Sequence, residues 1–478
     1  MKVLLIYPYA NLANRTGPSW LPLGLSFIAG VLQRDGHVVS VFDRYAYAAK
    51  QGAGREKTNA AMLARIREFG PDLIGFNTVS PLIYDTSECV DLIRAQGFGG
   101  YLVAGGHHAT ALPELTLSRI SGLDGVVSGE GEMPLARLAG GGNPASVPGV
   151  WWRSTGGTAG GQPPQQVTDL DSLPFPAFEL LDMDFYTRPG LHTLRGYYLR
   201  VVSLLTSRGC VKKCHFCAES LTYGRGVRMH SVDYVMEWLK RLRAEYHFEA
   251  VYFHDNDFLL DEDRVGDFCG RLLAGELKGK LKWGIQTRVE HLNGDILKLM
   301  RRAGCVLIEL GVESPLQNQL DWVRKGVTVT TAERAIALCR QAGITVHANI
   351  LTGFGGETIA DLEYKLAWLK KVKPNRYSWF PLKLHPGTVL YDRQAGGFFE
   401  ENEWTREKVD AYYAADLMSA VPAGEKERWL RRYYETSVRR QNLCYILRVN
   451  PPHRIAAYLR ERVKDRLAGS RVKKQVNK

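Results

Sequence analysis

The stretch Ser207-Arg208-Gly209-Cys210-Val211-Lys212-Lys213-Cys214-His215-Phe216-Cys217 decides how the rest of the chain is read. It sets three cysteines within eight residues, directly after an apolar run, Leu199–Thr206, that reads as a strand. Thiolates are soft ligands suited to iron–sulfur clusters, and a loop that wraps a cluster needs close cysteine spacing. Three cysteines hold three irons of a [4Fe–4S] cluster and leave the fourth open to a small molecule. A structural zinc site instead wants four closed ligands; no second cysteine pair is visible, although His215 is available as a fourth ligand. A redox C-x-x-C at Cys214 and Cys217 is the other reading, and Cys210 speaks against it.

Downstream of the cysteines, strand-like and helix-like segments alternate. Further strands are expected at Ala250–His254, Leu281–Gln286, Val306–Leu310, Thr345–Leu351 and Arg376–Leu382. Helical patterns fall at Val232–Tyr246, Asp263–Leu273, Gly294–Ala303, Ala332–Ala342 and Ile359–Lys370. Six strand–helix units are fewer than a closed barrel needs, so residues 196–390 read as a partial (β/α)6 TIM-type barrel with its site at the C-terminal strand ends. Upstream, residues 1–140 alternate in the same way, which argues an α/β, doubly wound, Rossmann-like domain. Its strands are expected at Lys2–Tyr7, His37–Phe42, Asp72–Thr78, Tyr101–Ala104 and Gly125–Val127, and its helices at Leu23–Arg34, Ala60–Phe69, Thr86–Ala95 and Met133–Leu138. Its ligand would sit among the loops Pro8–Pro22, Thr78–Tyr84, Gly105–Pro113 and Ser128–Glu132. Residues 141–195, rich in Gly, Pro and Ser, read as a linker or appendage, and 391–478 as a helical, basic C-terminal region.

The composition suits a globular protein of two or three domains: 478 residues, 45% hydrophobic and 23% charged. No apolar run reaches the ~18 residues of a membrane span, and the first apolar run reads as a buried strand rather than a signal peptide, so a cytoplasmic location is expected. The five other cysteines, Cys89, Cys269, Cys305, Cys339 and Cys444, are scattered through apolar stretches and read as buried small hydrophobes. Residues 425–478 carry 16 Lys/Arg against 5 Asp/Glu, which accounts for nearly all of the net charge of +12. Within that tail Ile455, Leu459, Val463 and Leu467 recur every four residues among arginines and lysines, as in a basic amphipathic helix. Packing on the body is the first reading of this helix, with contact to an anionic membrane surface the runner-up. No nucleic-acid module accompanies the charge.

C-x-x-x-C-x-x-C with an aromatic, Phe216, before the last cysteine, at the end of the first barrel strand, resembles the radical S-adenosylmethionine superfamily. The resemblance implies that Cys210, Cys214 and Cys217 bind the cluster, whose open iron chelates the methionine part of S-adenosylmethionine. Reductive cleavage would then give a 5′-deoxyadenosyl radical, with electrons from an external donor such as flavodoxin or ferredoxin. Four strand ends fall where this family contacts S-adenosylmethionine: Asp255, Asn256 and Asp257, near its methionine ammonium; Arg288; Glu313 and Ser314, for its ribose or carboxylate; and the turn containing Gly353. Glu357 and Thr358 also read as ordinary helix-start chemistry. Many relatives carry Pro where Gly355 stands.

Pro22-Leu23-Gly24-Leu25, Gly105-Gly106-His107-His108, Pro113-Glu114 and Gly129-Glu130-Gly131-Glu132 together resemble the cobalamin-binding domain fused to a subset of that superfamily. By this resemblance Gly105, Gly106, His107, Gly129, Glu130, Gly131 and Glu132 approach cobalamin, with Thr78 and Ser80 near its nucleotide tail. The first loop has no His, unlike the D-x-H-x-x-G type of domain, which implies cobalamin bound with its own base displaced. His107 is then a cobalt ligand or a hydrogen-bond donor, and a domain that no longer binds cobalamin is the alternative. The combined resemblance implies methylation of an unactivated carbon of a small-molecule substrate. The alternatives are an oxidative cyclisation of the anaerobic magnesium-protoporphyrin cyclase type and a non-catalytic sensor.

Overall fold

The computed structural model describes residues 1–9, 21–190, 193–415, 418–433 and 439–461. Most of the Pro8–Pro22 loop, and Val463 and Leu467 of the basic tail, therefore lie outside the described residues.

The first domain is built on β1 (Lys2–Tyr7), α1 (Leu23–Arg34), β2 (Val38–Asp43), α2 (Arg44–Gln51), α3 (Arg55–Phe69), β3 (Leu73–Asn77), α4 (Ile83–Ala95), β4 (Tyr101–Gly105), α5 (His107–Ala111), α6 (Pro113–Arg119), β5 (Gly125–Val127) and α7 (Glu132–Ala139). Five parallel strands run in the order β2-β1-β3-β4-β5. Side chains alternate across a strand, so both faces of this sheet must be apolar. Val3, Leu5, Leu73, Val103 and Val127 pack with α1 and α7, while Leu4, Ile6, Ile74, Phe76, Leu102 and Val126 pack with Met62, Ile66, Val90 and Ile93 on the other face. The helices α2 and the first turn of α3 had no counterpart among the expected elements.

The segment 141–195 is more than a linker. A hairpin of β6 (Val150–Ser154) and β7 (Gly157–Gly160) adds antiparallel to β5 and extends the sheet to seven strands. The rest, which includes α8 (Met183–Thr187), cements the two domains. Ala177 N donates to Ser26 O at 2.9 Å, and a Cβ on Gly30 would stand 2.6 Å from Phe175 O. Phe27 of α1 meets Trp238 edge-on at 5.8 Å, with Phe178 also against that indole.

The second domain begins with β8 (Val201–Leu204), followed by a two-stranded arm of β9 (Ser207–Cys210), α9 (Glu219–Tyr223) and the antiparallel β10 (Gly226–Met229). Then come α10 (Val232–Glu245), β11 (Ala250–Phe253), α11 (Glu262–Ala274), β12 (Lys282–Thr287), α12 (Gly294–Arg302), β13 (Cys305–Glu313), α13 (Gln317–Trp322), α14 (Val329–Gln341), β14 (Thr345–Thr352), α15 (Ile359–Val372) and β15 (Arg376–Pro381). The six parallel strands follow chain order from β8 to β15, as expected of an open (β/α)6 barrel.

C-terminal helices cover the strand starts of this barrel. Tyr445 Oη lies 2.8 Å from Thr345 Oγ1, Asn450 Nδ2 donates to Gly196 O at 2.7 Å, and Arg454 pairs with Glu249. Tyr458 packs edge-on against Tyr198. One side of the described part of the basic tail, with Tyr445, Asn450, Arg454 and Tyr458, thus packs on the body. Among the described residues no helix is long and apolar enough to cross a membrane.

His108 and His230 are among several buried histidines that set an acid limit on this fold. Burial pushes His108 down to about 3 and His230 down to about 4. The unfolded chain protonates both near pH 6.5, so stability is fully present above that value and is lost as pH falls toward 4 and then 3. At pH 5 the two sites together should remove a few kcal/mol, at about 1.4 kcal/mol per unit for each. The urea midpoint should therefore fall between pH 7 and pH 5, and His108→Asn should flatten that dependence. An unchanged slope in that variant would exclude His108 as a source.

Candidate active site

The cysteine loop is clasped by backbone contacts. Gly209 has φ +92°, and a Cβ there would lie 2.1 Å from Gly226 O, so only glycine lets β9 pair this closely with β10. Cys217 N donates to Cys214 O at 3.2 Å, His215 N to Val323 O at 2.9 Å, and Leu390 N to His215 O at 3.0 Å. Phe216 packs into the core beside the same elements. His215 Nδ1 lies 3.0 Å from Trp322 O, so the ring anchors the loop.

All three cysteines are free and half-buried. Ligands of one tetrahedral zinc stand only about 3.8 Å apart, given Zn–S of about 2.3 Å. Among the described residues no three His, Cys, Asp or Glu side chains converge as ligands of a single ion. The donor set, three thiols on one wrapped loop with His215 turned to a carbonyl, fits a cluster with one open iron better than zinc.

The strand ends converge on this loop but divide into two kinds. Asp255 is fully buried and accepts from Thr206 N (2.8 Å), Thr206 Oγ1 (2.7 Å) and Ser207 Oγ (2.7 Å). It ties the end of β11 to the junction of β8 and β9 and so supports the loop from beneath. Asp257 accepts from Thr287 Oγ1 at 2.7 Å and lies 2.8 Å from His291 Nδ1, which fixes the end of β12. Ser314 is likewise spent locally, on Gln319 Oε1 at 2.7 Å and Leu316 N at 3.1 Å. Asn256 has only long contacts, 3.4 Å to Gly209 O and 3.3 Å to Glu219, and so retains hydrogen-bonding capacity.

Arg288 reaches toward the cysteines. Its Nη1 is 3.8 Å from Cys214 Sγ, while Nε holds Glu290 and Nη2 holds Lys325 O. Glu313 adopts φ +64°, a left-handed conformation costly for a residue with a side chain, and its carboxylate meets Lys325 Nζ at 2.6 Å. Gly311 leaves room for this pair, since a Cβ would stand 2.7 Å from Glu313 Oε1 and 2.8 Å from Lys325 Nζ. Gly353 donates its N–H to Glu357 Oε2 at 2.6 Å, and Glu357 in turn pairs with Lys365, both fully buried. Thr358 caps α15 through a box with Asp361. Glu357 is thus more than helix-start chemistry: with Lys365 it locks the turn over the site.

In the first domain a cavity of about 300 Å³ opens at the carboxyl ends of β1, β3, β4 and β5. Leu5, Leu25, Ile28, Val103 and Leu135 make its floor apolar, while Gly105, Gly106, His107 and Gly129 to Glu132 line its rim. Thr222 and Tyr223, just beyond the cysteine loop, line it from the other domain. Gly106 has φ +102°, and a Cβ would strike Thr78 O at 2.6 Å. An apolar slot with a glycine rim fits the flat base of a displaced nucleotide tail. His107 lines this cavity and bonds Thr222 Oγ1 through Nδ1 at 2.9 Å.

Thr78 and Ser80 do not reach the cavity as expected of tail contacts. Thr78 Oγ1 donates to Gly105 O at 2.7 Å and accepts from Ala109 N, and Ser80 Oγ bonds the buried His108 at 2.9 Å. Short hydroxyls at a strand end satisfy protein and ligand equally well, and here backbone takes Thr78 and the His108 ring takes Ser80. Glu130 and Glu132 are buried and bound by two arginines of the β9–β10 arm, Arg208 and Arg228, which the sequence reading did not single out.

Comparison with known proteins agrees with this division. The B12 binding domain family model matches residues 11–139, and the Radical SAM superfamily model matches residues 204–369. An uncharacterized methyltransferase, PH0819, of Pyrococcus horikoshii is 29% identical over 82% of this chain and 83% of its own length. The anaerobic magnesium-protoporphyrin IX monomethyl ester cyclase of Cereibacter sphaeroides is 26% identical over 82% of this chain and 63% of its own. Among solved structures, the radical S-adenosylmethionine methyltransferase TsrM from Kitasatospora setae, with cobalamin and a [4Fe–4S] cluster bound, superposes with a TM-score of 0.65. It is 20% identical, covering 82% of this chain and 74% of that one, and so supports the fold.

Proposed function

The chain is a radical S-adenosylmethionine superfamily protein with an N-terminal B12-binding domain, and from that premise we propose that it methylates an unactivated carbon of a small molecule. The observation that carries the reading is the meeting of two sites, because residues flanking the cysteine loop line the cavity of the other domain. When bound, S-adenosylmethionine on the cluster supplies a hydrogen-abstracting radical, and cobalamin supplies the methyl group.

Cys210, Cys214 and Cys217 would hold the cluster. Arg288, 3.8 Å from Cys214 Sγ, places positive charge beside a thiolate that the cluster needs deprotonated. Asn256 retains donor and acceptor capacity for a polar ligand group, and the Gly353 turn is held closed over the strand ends by Glu357. Tyr223 and Thr222 wall the cavity from the barrel side. An external one-electron donor completes the requirement for reduction.

Methyl-labelled S-adenosylmethionine tests the reaction outcome. The label should appear on carbon in the product. Turnover without label in the product would favour the cyclase-type reading, which the 26% identical relative motivates.

The basic tail supports contact with an anionic membrane surface as a further part of this reading. Leu443, Leu447 and Leu459 are exposed in the same region that holds nearly all the net positive charge. The full chain should sediment with vesicles containing anionic lipid and remain in solution with purely zwitterionic ones. Equal sedimentation with both would remove the electrostatic argument.

A further inference from the structure

We propose that Arg208 is a positioning residue that couples the two cofactor sites, so that cobalamin binding and cluster binding reinforce each other. The proposal rests on the reading of the two sites given above.

The register of the arm carries the argument. In the antiparallel pair of β9 and β10, Arg208 stands directly opposite Arg228. Like charges facing each other across a ladder destabilise it unless counter-charges intervene. The counter-charges come from the other domain. Arg208 Nη2 donates to Glu132 Oε1 at 2.6 Å, its Nη1 lies 3.2 Å from Glu130 Oε2, and Arg228 also binds Glu130. Two arginines and two glutamates thus form a neutral quartet. Arg208, Glu130 and Glu132 are each less than 5% exposed. The Arg208 guanidinium also lies 5.0 Å over the Phe27 ring and 5.8 Å over that of Tyr223.

Each end of the quartet touches a different site. Arg208 precedes Cys210 by two residues on one short strand. Glu130 and Glu132 alternate with Gly129 and Gly131 on the rim of the cavity. A ligand that orders the rim therefore also orders the start of the cysteine loop, and the converse holds by linkage. A buried ion network of this kind is weak evidence for stability but strong in fixing one geometry, because its charges cannot be left unpaired. Lysine would not replace Arg208, since one ammonium lacks the planar fork that spans both carboxylates.

The test is hydroxocobalamin affinity, read by absorbance under anaerobic conditions, with and without the reconstituted cluster. In the wild-type chain the cluster should tighten binding by about 5-fold or more. In Arg208→Met the two affinities should coincide, with iron content unchanged, and Arg208→Lys should recover little of the difference. Glu132→Gln, a milder change, should reduce the ratio without abolishing it, and it decides the question if Arg208→Met fails to fold. A wild-type ratio of one, or a variant that keeps the full wild-type ratio, overturns the coupling. Absence of cobalamin binding in the wild type would instead overturn the reading of the first domain, and the coupling with it.

Discussion

The Cys214→Ala chain should keep its fold and lose cleavage of S-adenosylmethionine. Cys214 lies on a loop whose shape is set by other groups: Asp255 under Thr206 and Ser207, His215 on Val323 and Trp322, and Phe216 in the core. Removing its sulfur should therefore leave the loop path intact. Two remaining cysteines cannot hold a four-iron cluster firmly. Loss of an outer-shell partner of a metal site already costs roughly 10–100-fold, and loss of a ligand should exceed that. Deoxyadenosine formation should fall to background, with iron per chain reduced and the far-ultraviolet spectrum unchanged. Arg288→Ala, which removes a neighbour and not a ligand, should fall between this variant and the wild type. Undiminished deoxyadenosine formation by Cys214→Ala would remove the cluster from the account.

Gly105→Leu should close the cobalamin cavity while leaving the barrel untouched. Gly105 ends β4 and lines the cavity, and a Cβ added there would meet Val127 O at 3.6 Å, an ordinary contact. The first atom of a side chain is therefore tolerated, and the rest must enter the cavity. Displacing a ligand by overpacking costs typically 1–3 kcal/mol, which weakens binding by about 5–150-fold. Cobalamin affinity should drop by that order, with iron content and thermal midpoint close to the wild type. Full affinity in Gly105→Leu would place cobalamin elsewhere.

Much of the fold was legible because the burial pattern is simple. The parallel strands of the first sheet are apolar on both faces and those of the barrel on the face toward its helices, and their edges are punctuated by Gly, Pro and Asp, so β1, β3, β11 and β14 stand within a residue or two of their expected bounds. The β6–β7 hairpin was hidden inside a Gly- and Pro-rich segment, although Val150-Trp151-Trp152 followed by Thr155-Gly156-Gly157 is a strand and a turn.

In the site, the cysteines were legible because their spacing has few other uses. Asp255, Thr78 and Ser314 were expected near ligands and instead hold backbone or neighbouring side chains. Short polar residues at strand ends serve either purpose, and only the partner distinguishes them. Lys365 went unremarked, yet it sits on the apolar stripe of α15 with Leu362, Trp368 and Leu369, where a charge must find a partner. Arg208 stood inside the decisive stretch itself. Its role depends on Glu130 and Glu132, 78 and 76 residues away, and no local pattern joins them.

The most direct test of the account is anaerobic reconstitution of the wild-type chain with iron, sulfide and cobalamin, followed by reduction in the presence of S-adenosylmethionine. The account predicts about four irons and one cobalt per chain, and deoxyadenosine formed at a rate that depends on the reductant. A chain that holds its full iron and yet forms no deoxyadenosine would contradict it.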